Sequence, residues 1–179
     1  MKVQSLFLLF AILLFSANAP AIVATDSGSG SLATYTFPGK MPSGCSGSNG
    51  NYTCGALSLG SSDTITLAAP LPATITVNGD MSINTTPINA AGSASNLNLI
   101  VTGALSATNA SSPLKINANL TAGSINDQSG YLSIGGSVST TTGSLTLGYE
   151  TDVTGNVTSA TGAITTGQGG TIGGSVSST

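Results

Sequence analysis

From Val77 onward the chain repeats one arrangement of six positions: apolar, any, Gly or Ala, any, apolar, Ser or Thr. It recurs at residues 77–82, 101–106, 116–121, 134–139, 153–158 and 172–177, with starts 24, 15, 18, 19 and 19 residues apart. A period near twenty marks a solenoid, in which each repeat buries its apolar face only by stacking on its neighbours. Side chains alternate along a strand, so the first, third and fifth positions share one face. The predicted core is therefore Val77, Met81, Val101, Leu105, Ile116, Leu120, Ile134, Val138, Val153, Val157, Ile172 and Val176. The third position is always small, which suggests a narrow interior where a larger side chain would strike the opposite wall. Weaker apolar segments at 123–125, 143–147 and 162–164 supply a second strand to each coil.

The expected fold is an all-β, right-handed parallel β-helix with coils of about 19 residues joined by Gly/Ser/Thr/Asn turns. An antiparallel sandwich or irregular sheet is the alternative. It is opposed by scarce hairpin dipeptides and by a face pattern that repeats in register. A helix is excluded, because Gly and β-branched residues dominate and a 3.6-residue period is missing.

The pattern divides the chain into three parts. Residues 6–15 are an unbroken apolar run behind Lys2, followed by small residues. That predicts a secretory signal peptide over 1–21, too short for a span of about twenty apolar residues. Cleavage after Ala21 is preferred to cleavage after Ala19, which would leave Pro20 just beyond the cut; an uncleaved anchor is the alternative reading. Residues 22–72 lack the repeat and hold Tyr35, Phe37 and Tyr52 beside alternating segments at 57–59 and 64–67. They read as an atypical N-terminal cap. Pro70 and Pro72 mark the join to the solenoid of 73–179.

Composition narrows the chemistry. Charged residues are 5% of the chain, six acids against three lysines, with no arginine and no histidine. A histidine base, a histidine-ligated metal, an arginine clamp and a basic groove for nucleic acid are thereby excluded. Without Lys2 the exported part carries two lysines and six acids, a net charge of −4. No cofactor is expected, no nucleic acid partner, and a membrane only as the export route. Export also makes Cys45 and Cys54 readable as a disulfide closing a flexible Gly/Ser/Asn loop. A metal pair lacks further ligands, and a redox pair would have closer spacing.

Glu150 and Asp152 would share a face if extended, with Asp127 one coil earlier. Such carboxylates could bind Ca²⁺ or act as an acid/base pair on a polysaccharide. Solvated turn acids are the favoured reading, since only Lys115, Tyr131 and Tyr149 lie nearby to assist. The Thr-x-Thr pairs 34/36, 64/66 and 74/76 are similar to ice-binding arrays, but outside the repeat they are not expected to form one flat ladder. The sixth motif position predicts an outward hydroxyl ladder. Asn119 and Asn156 begin Asn-x-Ser/Thr sites that matter only in a glycosylating host.

The order of a Thr-Tyr-Thr-Phe-Pro-Gly stretch at 34–39, a Cys-bounded loop, Tyr52-Thr53-Cys54-Gly55 and Asp63-Thr64-Ile65-Thr66 resembles the N-terminal region of MshQ-type proteins. These are large surface proteins associated with the MSHA type IV pilus, usually much longer than this chain. The resemblance covers about residues 33–179 and brings no catalytic residues with it. The coil motif alone is shared by many β-solenoids, bactofilins included.

The expected role is a secreted structural or adhesive surface module, not an enzyme, with a pilus component, glycan or other surface molecule as partner. The alternatives are a self-assembling, bactofilin-like filament and, less favoured, a carbohydrate-acting enzyme. The regular motif at 172–177 leaves only Ser178 and Thr179 to cover the last coil. A longer product or end-to-end association is therefore expected.

Overall fold

Short β-branched and aliphatic runs, broken every few residues by Gly, Asn and Ser, suit a chain that must turn repeatedly. A computed structural model describes residues 24–25, 32–108 and 113–179. In it these runs form a parallel β-solenoid of about six turns with coils of about 21 residues. The signal peptide expected over 1–21 lies outside the described residues. Among them there is no α-helix, only a 3₁₀ turn at Ala94–Asn96.

Three stacks of inward side chains run through the coils. Face A stacks Tyr52, Ile75, Leu99, Leu120, Val138, Val157 and Val176. Face B stacks Leu57, Met81, Leu105, Ile125, Leu145 and Ile164. Face C stacks Tyr35, Ile65, Ile88, Ile116, Ile134, Val153 and Ile172, at intervals of 30, 23, 28, 18, 19 and 19 residues. The expected 19-residue coil thus holds for the last turns, while the earlier ones are longer. The buried aromatics among the described residues all lie in the first and longest of these coils. Phe37 and Tyr52 meet edge to face with centroids 5.1 Å apart, and Tyr35 is buried beside them.

The six motif copies do not superpose on one place in the coil. In the first two, Val77 and Val101 are the last pair of the face A register while Met81 and Leu105 open the register of face B. In the last four, Ile116, Ile134, Val153 and Ile172 lie on face C while Leu120, Val138, Val157 and Val176 begin face A. The odd 15-residue step from Val101 to Ile116 is the passage from one corner to another. The motif is therefore a corner, at 101–106 one that the continuous strand Leu97–Thr108 turns at a register shift, with its first and fifth residues pointing inward from two different faces.

The third position is small because coil backbones meet closely there. A Cβ on Gly136 would lie 2.2 Å from the Ala118 carbonyl oxygen, and one on Gly155 2.8 Å from the Ser137 nitrogen. What excludes a side chain is the backbone of the previous coil at the corner, not an opposite wall. The same approach lets Gly155 N–H donate to Gly136 O and Gly174 N–H donate to Gly155 O, both at 3.1 Å.

Ten of the twelve predicted core residues are buried. Ile172 is only partly covered, and Val176, in the last described strand, is 53% exposed. Cys45 and Cys54 are disulfide-bonded. Their loop is a tight antiparallel hairpin of Cys45–Ser48 with Asn51–Cys54, not a loose closure. Asn49 and Gly50 both take positive φ (52° and 80°), the two-residue turn that Asn-Gly favours. Asn51–Cys54 stacks in parallel on Ala73–Val77, so Cys45–Ser48 covers the outer edge of face A. The N-terminal region thereby continues the same stacks and shields one sheet edge with an antiparallel strand.

Candidate functional site

Among the described residues, the corner between faces B and C brings together Asp127, Tyr131, Tyr149 and Glu150. Strand Asn119–Asp127 alternates Ile125 inward, Asn126 outward and Asp127 inward, which carries a carboxylate into the interior. Asp127 is 2% exposed. It accepts hydrogen bonds from Ser129 N–H (2.9 Å), the Ser129 hydroxyl, Gly148 N–H (3.1 Å) and the Thr151 hydroxyl. Buried charge is tolerated only with such complete pairing. Asp127 is thus a structural clamp between two coils, and it does not join Glu150 and Asp152.

Those two acids lie on the outside. After Asp127 the backbone enters the left-handed region at Gly130 and Tyr131 (φ 62° for both), which brings Tyr131 to the surface before Leu132 returns inward. One coil later Tyr149 is exposed and Glu150 takes φ 50°. A bulky residue at positive φ is an outlier that neighbouring structure has to hold in place. The Tyr131 and Tyr149 rings meet edge to face, with centroids 5.9 Å apart and planes at 87°. Tyr131 N–H donates to Tyr149 O, and Glu150 N–H to Gln168 O, so the corner is tied to the coils on either side.

On face C the outward column beside this corner runs Lys115, Ser133, Asp152, each in register with the next. Asp152 accepts from Thr171 N–H at 2.9 Å and from the Thr171 hydroxyl at 2.6 Å. Tyr131, Ser133, Glu150 and Asp152, with Pro113, Leu132 and Gly169, line a shallow groove of about 150 Å³. A hydrogen bond to Glu150, reinforced by that carboxylate's charge, raises the Tyr149 phenol above its ordinary pKa of 10.0. The groove therefore presents the Tyr131 ring, acceptors and a hydroxyl, with Tyr149 packed against Tyr131 beside it and the Lys115 ammonium on the adjoining rung. No group of three or more His, Cys, Asp or Glu suited to a metal occurs among the described residues.

The expected hydroxyl ladder is present but divided. Ser82 and Ser106 are in register on face B, whereas Thr121, Ser139, Thr158 and Ser177 are in register on face A. Thr121 and Ser139 hydroxyls are 3.0 Å apart. Two of the Thr-x-Thr pairs do stack: Thr34 and Thr36 lie against Thr64 and Thr66, with Thr36 and Thr66 hydroxyls 2.9 Å apart. Thr74 and Thr76 belong to face A, so the three pairs make no single array.

The fourth motif position, read as unrestricted, has a role in the stack. Asp80 Oδ1 accepts from Ala104 N–H at 2.8 Å, Asn119 Oδ1 from Ser137 N–H at 3.2 Å, and Asn156 Oδ1 from Ser175 N–H at 2.9 Å. Short acceptor side chains thus satisfy corner amides of the following coil. The recurrence of Asp or Asn there was the available signal. Comparison of the chain with protein families, curated proteins and solved structures finds no match.

Proposed function

We propose that the chain is an exported structural and adhesive module that displays solenoid faces to another surface. The observation supporting this most directly is the register of its outward side chains. Parallel stacking holds Ser58, Ser82, Ser106, Asn126, Thr146 and Thr165 in one column on face B. Neighbouring strands lie about 4.8 Å apart, so this column is a rigid, evenly spaced row of hydrogen-bonding groups. Rigidity lowers the ordering cost of binding an extended partner. The disulfide agrees with an oxidising compartment. The apolar run at 6–15 supports export, and the resemblance to MshQ-type proteins suggests a pilus-associated setting.

The test is to produce the full chain in a secreting bacterial host, sequence the N-terminus of the exported form, and measure attachment of beads coated with it. A mature chain beginning at Ile22 and beads that attach to cells or surfaces above uncoated controls are expected. A chain kept inside the cell with residues 1–21 intact, or beads that attach no better than bare ones, would overturn the reading.

A further inference from the structure

We propose that the groove between Tyr131, Ser133, Glu150 and Asp152 is a subsite for a neutral polysaccharide lying across successive coils. The proposal rests on the surface-module reading and specifies one ligand class for it. Four observations converge on this corner. First, Tyr131 and Tyr149 are 37% and 49% exposed, whereas Tyr35, Phe37 and Tyr52 are buried. Second, Tyr131 reaches the surface from a backbone conformation unfavourable for a bulky residue. Strain of that kind is retained where the surrounding structure over-determines it, often at ligand sites. Third, the groove beside the rings is open, about 150 Å³, and lined by side chains from successive coils. Fourth, acceptor and donor groups flank it: Glu150 and Asp152 on one side, Ser133 in the middle and Lys115 on the adjoining rung.

These features select the chemistry of the ligand. A sugar ring offers an apolar C–H face to an aromatic ring and hydroxyls that both donate and accept. Aromatic side chains with a polar tip suit that mixture of contacts. The carboxylates would accept sugar hydroxyl protons, and Ser133 and Lys115 would donate to ring or hydroxyl oxygens. Charge argues against an acidic glycan, because the groove contains two carboxylates and the chain carries net charge −3. The lining spans the coils of Pro113, Tyr131, Glu150 and Gly169, stacked about 4.8 Å apart, so a linear polymer could follow the stack from rung to rung. No bond is made or broken in this proposal.

Affinity electrophoresis of the full chain in native gels tests it, using hydroxyethylcellulose, galactomannan or xylan as neutral probes and alginate as the acidic one. Retardation by at least one neutral polysaccharide is expected, and none by alginate. Tyr149→Ala should weaken that retardation about five- to tenfold, the loss of one aromatic contact. Tyr131→Asn should do the same, asparagine being tolerated at positive φ, while Thr74→Ala on face A should leave it unchanged. If Tyr131→Asn fails to fold by circular dichroism, Tyr149→Ala decides alone. No retardation by any neutral polymer, retardation by alginate only, or unchanged retardation in Tyr149→Ala would overturn the subsite. Bead attachment by the wild-type chain separates the two readings: attachment without retardation removes the glycan subsite and leaves the module, whereas retardation without attachment removes the module alone.

Discussion

Replacing Asp127 with alanine withdraws the one acceptor shared by Ser129, Gly148 and Thr151. The Ser129 hydroxyl is half-buried and can turn to water, but the Thr151 hydroxyl is 3% exposed and cannot. Hydrogen bonds to a charged group contribute about 1.5–3 kcal/mol each, and a buried donor left unpaired costs about 1–3 kcal/mol. Discounting the bonds that water replaces, Asp127→Ala should destabilise the solenoid by about 3–5 kcal/mol. For a chain of this size that lowers the thermal midpoint by about 6–20 °C. The assay is thermal unfolding by circular dichroism, with hydrogen exchange at residues 145–153 to localise the loss. Adding Thr151→Val removes the stranded hydroxyl, so the double variant should recover about 1 kcal/mol relative to Asp127→Ala alone. A midpoint shift below about 2 °C for Asp127→Ala would refute the clamp, because a charge buried among those donors cannot be removed at so small a cost.

Three further outcomes are expected. Gly136→Ala places a Cβ against the Ala118 carbonyl and should cost about 1–3 kcal/mol, while Ser139→Ala on the outward column should stay within about 0.5 kcal/mol; equal shifts in the melting curve would contradict the corner geometry. Tyr52 Oη is buried without a hydrogen-bond partner among the described residues, so Tyr52→Phe should be neutral or stabilising by up to about 1 kcal/mol in denaturant titration, and a marked loss would mean the hydroxyl is bonded. The Glu150 carboxylate favours the protonated Tyr149 phenol; removing it in Glu150→Gln should bring the Tyr149 titration down toward 10.0, read by tyrosinate absorbance, and an unmoved titration would show that the two side chains do not interact.

Much of the fold was legible because its determinants are local. Alternation at single-residue resolution placed Ile134, Val138, Val153 and Val157 inward, and all four are buried. A constant coil length over the last turns made their period visible, at 18, 19 and 19 residues. The longer early coils disguised theirs, because the hairpin at 45–54 in the first and the excursion over residues 89–96 in the coil from Ile88 to Ile116 change spacing without changing the stack. That excursion is held by Asn89 and Asn117, whose amides donate to Ser93 O, Ala90 O and Gly92 O. Nothing in the spacing of two asparagines 28 residues apart announces such a bond. The hairpin was legible in principle, since Asn49-Gly50 is a turn dipeptide; the glycine-rich surroundings made it read as a flexible loop.

The candidate site was legible only as a set of residue types. Asp127, Glu150 and Asp152 look alike in sequence, yet one is sealed inside and two face outward. Asp127 continues the alternation of its own strand inward, whereas Glu150 sits at a left-handed step (φ 50°) and Asp152 takes the outward position of the strand that follows. The pairing of Tyr131 with Tyr149 likewise depends on where two coils come into register. The sequence by itself determined a parallel, aliphatic-cored solenoid with a bonded cysteine pair, because side-chain alternation and repeat length are properties of a short stretch of chain. Only the tertiary structure decided which corner each motif turns and which polar side chains meet, because those contacts are made between coils, at distances along the chain that no local pattern encodes.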